Sequence, residues 1–204
     1  MMIRTILTFS MLLFMSQLFI AQNNDSEQPK MKLNIEVNGE KYQVTDGGSI
    51  VVDGNTIKVA SSDFLTFDFA AVTFDYPKHF AFEYETDLAY KNWTLDGNNF
   101  VILYFQYDIE IELDFFIDEI VGQFGKENCK VNKKKRQLGD ITLEGKEIIV
   151  DIMGVSLTYE MFEIETEDSK THFIAFQDTK NDDGSSSTES IETLKVIDQT
   201  IKAK

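Results

Sequence analysis

The stretch Leu113-Asp114-Phe115-Phe116-Ile117-Asp118-Glu119-Ile120-Val121-Gly122-Gln123-Phe124 decides the fold class when it is read with the run that feeds it, Phe100-Val101-Ile102-Leu103-Tyr104-Phe105-Gln106-Tyr107. Leu113, Phe116, Ile117, Ile120, Val121 and Phe124 recur at spacings of three and one, which is one apolar stripe on a 3.6-residue period. Asp114, Asp118, Glu119 and Gln123 take the opposite side. The spacing predicts an amphipathic helix over 113–124. Glu112 and Asp114 suit its positive N-terminal end, and Gly125 stops it. The run 100–107 is apolar on both parities, as in a strand buried on both faces. A sheet with an apolar face needs a covering layer, and the helix is placed to supply one.

Working outward, the 204-residue chain is long enough for one ordinary domain with additions. A hydrophobic content of 43% with 17 Phe points to a packed core. The formal charge is −16. That field opposes nucleic-acid binding and anionic membrane surfaces. The first residues read as a secretory signal over 1–21, with Arg4 as a minimal charged region, Ile6 to Ile20 as the apolar core and Ala21 at the cleavage point. A periplasmic or secreted mature protein is expected, with no stable membrane span after cleavage. Cys129 is the sole cysteine, so stability has to come from the core rather than a disulfide. Asn24 and Asn92 begin Asn-x-Ser/Thr sequons, which matter only in a eukaryotic secretory host.

Gln22 to Lys30 reads as a polar linker. Beyond it, Asn38-Gly39 and Asp53-Gly54-Asn55 lie between short alternating runs and predict hairpins, so 31–69 is assigned to a β-meander extension. Val72 to Pro77 and Phe80 to Tyr84 predict strands, and 87–99 a loop carrying Trp93. From Cys129 onward, successive antiparallel strands are expected, including Ile141 to Leu143 and Ile148 to Met153 on either side of a Glu144-Gly145-Lys146 turn. Ser186-Ser187-Thr188-Glu189 reads as a capping box, with Ser186 as N-cap, ahead of a second apolar stripe on Ile191, Leu194, Ile197 and Ile201.

Phe74-Asp75-Tyr76-Pro77 with Phe80 and Phe82, the helix 113–124, the strand Thr171 to Gln177 and the helix Ser187 to Lys202 carry a resemblance by element order. The region 70–204 resembles the α/β/α sandwich of PsbP-like photosystem extrinsic proteins, DcrB-like bacterial envelope proteins and a Ran-binding nuclear transport factor. The resemblance implies an α+β fold, an antiparallel sheet layered by two helices; the small N-terminal β-meander that precedes it lies outside the resemblance. It also implies an accessory role without catalysis, and it carries over no site residue.

Gly154-Val155-Ser156-Leu157-Thr158 has the first half of a nucleophile elbow but lacks the second glycine, and its context is strand–turn–strand. Cys129 with His79 or His172 is the conceivable Cys–His pair, although His172 shares strand parity with Ile174 and Phe176, which favours a satisfied core histidine. Asn181-Asp182-Asp183-Gly184 resembles part of a calcium loop, but Thr179 would stand first and Ser190 last, so the bidentate Glu is missing. Glu163, Glu165 and Glu167 read as a solvated sheet face. Asp151 interrupts an apolar strand and is the candidate polar site. No metal or cofactor is expected.

Lys133-Lys134-Lys135-Arg136 stands out in an acidic chain. Alternation sends its charges to both faces, as on an edge strand guarded by lysine. A docking patch for an acidic partner, or pairing with the chain's own carboxylates, are the alternatives. Tyr90, Trp93 and Phe115 are candidate contact aromatics. The expectation is an exported, non-catalytic accessory module that engages an unknown protein partner in the envelope or outside the cell. A small-molecule or lipid carrier with a pocket between sheet and helix is the alternative, followed by a hydrolase.

Overall fold

The computed structural model describes residues 31–204. The expected signal peptide, the linker and Asn24 lie outside the described residues. The chain divides into two compact units, the first ending at Ala60 and the second spanning Ser61–Lys204.

The described part of the first unit is two hairpins, β1 (Lys32–Val37) with β2 (Glu40–Thr45), and β3 (Ser49–Val52) with β4 (Asn55–Lys58). Their turns need left-handed backbone. Asn38 and Gly39 adopt φ of 53° and 85°, and Asp53 and Gly54 adopt 50° and 77°. These are the residue types that tolerate it. Val44 and Val52 are the buried apolar residues here.

The second unit starts with β5 (Phe64–Phe67), which lies in the stretch assigned above to the extension but pairs with β6 (Val72–Pro77). There follow β7 (Ala81–Asp87), β8 (Tyr90–Asp96), β9 (Phe100–Tyr107), α1 (Leu113–Phe124), β10 (Cys129–Leu138), β11 (Ile141–Ile152), β12 (Val155–Ile164), β13 (Thr171–Thr179), α2 (Thr188–Thr200) and β14 (Lys202–Ala203). One seven-stranded sheet runs β10-β11-β12-β13-β9-β8-β7, and a three-stranded sheet runs β14-β6-β5. Every pairing in both sheets is antiparallel.

Cross-strand partners share a face, so the registers Trp93↔Tyr104 and Tyr104↔Ile174 define the core side of the large sheet. Leu95, Ile102, Phe162 and Phe176 extend it, and Phe67, Val72, Phe74 and Tyr76 of the small sheet close over it together with Ile197 and Ile201. On the other side, Phe116 of α1 packs its ring 5.0 Å from Phe173 and 5.5 Å from Phe105. Ile117 and Ile120 are buried beside it.

The expected α+β sandwich, an antiparallel sheet layered by two helices, is therefore overturned. The described residues are mostly antiparallel β, with fourteen strands against two α-helices. The core face is closed chiefly by a second sheet. The reason lies in α2, whose buried residues are Ser190, Thr193 and Ile197. Two small polar side chains and one Ile bury far less apolar surface than Phe67, Phe74 and Tyr76.

Three local expectations also change. The stretch 87–99 is not a loop, because Tyr90–Asp96 is an interior strand of the large sheet. Its polar Asn92 and Thr94 are buried, which hid the strand from a hydropathy reading. Glu144-Gly145-Lys146 is not a turn, because β11 runs straight through it. A Cβ at Gly145 would collide with the Met161 carbonyl oxygen on β12, so the glycine marks a close backbone approach. The turn comes earlier, at Gly139-Asp140, with Leu138 opposite Ile141. Finally, the N-cap of α2 is Ser187, whose side chain accepts from the Ser190 N–H.

Candidate functional site

On β10 to β13 the core-facing parity continues past its apolar stretch into charge. Lys134 Nζ lies 2.8 Å from Glu147 Oε1 and 2.9 Å from Glu160 Oε1. Arg136 Nε donates to Glu160 Oε2 at 2.7 Å. One strand further, Lys180 Nζ pairs with Asp178 Oδ2 at 3.0 Å. Asp178 Oδ1 accepts from the Ser187 hydroxyl at 2.7 Å and so orients the cap of α2. Burial opposes the charge on Lys134, but its bonds to Glu147 and Glu160 outweigh burial and hold its pKa above the usual lysine value. Burial likewise pushes Glu147 up, and Lys134 outweighs it and holds the carboxyl low. Phe100, Arg136, Thr158 and Phe176 line a shallow open cleft at this network. Three cations face three carboxylates, so the arrangement binds its own elements together and presents little net field to a ligand.

The basic run is thereby split. Lys134 and Arg136 are half-buried in these pairs, while Lys133 is exposed and Lys135 reaches Glu144 in solvent. β10 is the edge strand of the large sheet. Asp151 is exposed near the end of β11, opposite Ser156, and joins neither the network nor an apolar pocket.

The two histidines are both engaged. His172, 2% exposed, places Nδ1 3.1 Å from the Tyr104 hydroxyl and Nε2 3.2 Å from both carboxylate oxygens of Asp168. With a neutral ring, Nε2–H donates to Asp168 and the tyrosine hydroxyl donates to Nδ1. Burial, with a smaller contribution from Asp168, pushes the Tyr104 hydroxyl well above its usual value. His79 Nε2 lies 2.9 Å from Glu189 Oε1. Glu189 also accepts from the Phe100 N–H at 3.0 Å and the Asn98 side chain at 3.3 Å, clamping the turn before β9 to the first turn of α2. Burial raises its pKa, and the bonds from His79 and the backbone of 98–100 outweigh burial and leave it low. Glu189 therefore works across the fold, not as the third residue of a capping box.

Cys129 is brought to neither histidine. Burial, then Glu127, pushes its thiol pKa up, the opposite of an activated thiolate. Ser156 stands just after a tight turn in which Met153 and Gly154 have φ of 52° and 84°. In the calcium-like stretch, Asn181 Nδ2 donates to Ser185 Oγ and Asp183 accepts from the Ser185 N–H, so these side chains serve their own turn. Ser190 is inside α2. Asn92 is 3% exposed, which closes its sequon in the folded chain.

Of the contact aromatics, Trp93 is core, at 4% exposure. Tyr90 stacks on Tyr107 at 5.7 Å and donates to Glu85. Phe115 is half-buried against Phe116. The exposed aromatics are others: Phe69, Phe82 and Tyr84, at 54%, 43% and 47%. Phe69 lies 5.4 Å from Phe82 and 6.3 Å from Trp93, and Tyr84 lies 5.4 Å from Trp93. Phe64 and Leu65 on β5 are also exposed. β7 and β5 are edge strands of their respective sheets. The signal was present in Phe82-Glu83-Tyr84-Glu85, an alternation that places one aromatic face on a strand with no cover.

No family model matches the chain, and no curated protein matches it in sequence.

Proposed function

We propose that the chain is an exported, non-catalytic binding module that engages a protein partner through an exposed aromatic patch. The observation that carries this reading is the contiguous exposure of Phe69, Phe82 and Tyr84 around the buried Trp93. Aromatic side chains at such density on a surface mark contact sites, because they offer large area at little rotamer cost. A carrier pocket between α1 and the sheet is disfavoured, since Phe105, Phe116 and Phe173 fill that space.

The test is crosslinking capture from the host's envelope fraction with the native chain and with a Phe69→Ser/Phe82→Ser variant whose circular dichroism matches it. A partner recovered by the native chain and at least tenfold less by the variant supports the reading. Equal recovery by both, or none by either, overturns it.

A further inference from the structure

The edge strand β7 has a chemistry that specifies its occupant. The bond from the Asp108 N–H to the Ala89 carbonyl, and that from the Gly97 N–H to the Phe100 carbonyl, fix the alternation of the β8–β9 ladder. They direct the backbone groups of Tyr90, Asn92, Thr94 and Asp96 toward β7, where the partners are Asp87, Glu85, Glu83 and Ala81. The N–H and C=O groups of Phe82, Tyr84 and Thr86 therefore point outward, and β7 pairs only with β8 among the described residues.

The two faces of this edge differ. The core-side face presents Phe82 and Tyr84, extended by Phe69. The other face presents Glu83, Glu85 and Asp87 in successive register. The ion pairs among the described residues include neither Glu83, Asp87 nor the neighbouring Asp96. Burial, then the charges of Glu83 and Glu189, push the Asp96 carboxyl above its usual range, as expected where carboxylates crowd without a cation. Edge strands are often guarded by charge. Here the guard covers one face and leaves the aromatic face open.

We propose that β7 is a docking edge for an extended peptide in which basic and apolar residues alternate, added antiparallel as an eighth strand of the sheet. The peptide's backbone bonds Phe82, Tyr84 and Thr86. Its apolar side chains lie on Phe69, Phe82 and Tyr84, and its lysines or arginines lie beside Glu83, Glu85 and Asp87. This rests on the reading of the chain as a protein-binding module and names the partner's chemistry and mode.

The probe is a nine-residue Lys/Val alternating peptide, titrated into the full chain, with binding read by Trp93 emission and by residue-resolved amide exchange. The expected result is saturable binding with slowed exchange at Phe82, Tyr84 and Thr86. Affinity should fall at least tenfold for a Glu/Val peptide, for the Lys/Val peptide N-methylated at alternate amides, and for a Glu83→Lys/Asp87→Lys variant. Equal affinity of the acidic or N-methylated peptide, protection confined to other strands, or an edge already saturated by a second copy of the chain overturns the proposal. If the Phe69→Ser/Phe82→Ser variant loses its envelope partner while no peptide protects β7, strand addition falls and the protein-binding reading stands.

Discussion

Glu189 is the residue on which two connections converge. Its carboxylate holds the backbone of Asn99 and Phe100 and the ring of His79. Glu189→Ala leaves those backbone donors without a partner, and a cost of roughly 1–3 kcal/mol is expected, read as a lowered urea midpoint at unchanged slope. The sign with pH follows from its lowered folded pKa. The unfolded chain takes up a proton first, near the ordinary glutamate value of about 4.3. The contribution is therefore present above that value and is lost as pH falls through the folded pKa. Melting temperature should drop below about pH 4 in the native chain. Glu189→Gln should show a shallower drop over the same window; an unchanged profile would refute the role. Tyr104→Phe tests the His172 chain, together with the bond between this hydroxyl and the Ala71 backbone. It removes the hydroxyl facing Nδ1 and should cost about 1 kcal/mol in the same assay.

At the scale of elements, α1 was legible to the residue because its stripe, its acidic start and its glycine stop agree, and the helix is Leu113–Phe124. Replacing Phe116 by Ala empties the contact with Phe105, Tyr107 and Phe173, and about 3–5 kcal/mol is expected to be lost on equilibrium unfolding. β8 was not legible, because Asn92 and Thr94 are buried polar residues and buried polarity looks like a loop in one dimension. Gly145 misled for a related reason. A glycine between polar neighbours reads as a turn, whereas its cause is the Met161 carbonyl on the next strand, β12. Gly145→Ala should therefore disrupt the β11–β12 pairing, with either no folded protein or a loss above about 2 kcal/mol, while Gly154→Ala should cost less because only its φ of 84° opposes it. Comparable stabilities for the two variants would show the close approach to be unimportant. The aromatic patch was written in the alternation of 81–87, yet only the sheet order shows that, among the described residues, the strand is an edge paired on one side alone.

For the whole molecule, the principal core cluster draws only on residues beyond Ser61. A chain starting at residue 61 is expected to keep a single cooperative melt by circular dichroism, and a broad non-cooperative loss of signal would contradict that independence. The layer architecture escaped the sequence because the apolar residues of 64–77 fit either the edge of one sheet or a sheet of their own. Choosing between them depends on the last residues of the chain, where Lys202 and Ala203 pair with Thr73 and Val72.

That last pairing bears on when the molecule can fold. β9 lies between β8, its near neighbour in sequence, and β13, whose first residue Thr171 sits opposite Tyr107. The sheet cannot be closed around the most apolar strand until β13 has been made, well after β9, and the small sheet gains β14 only after α2. Such long-range closure places refolding on the millisecond-to-second scale typical of non-local β topologies. It leaves Phe100–Tyr107 uncovered while the chain is being made. Until β13 arrives that strand is open to other chains as well as to its own, so the yield of refolding is expected to fall as protein concentration rises.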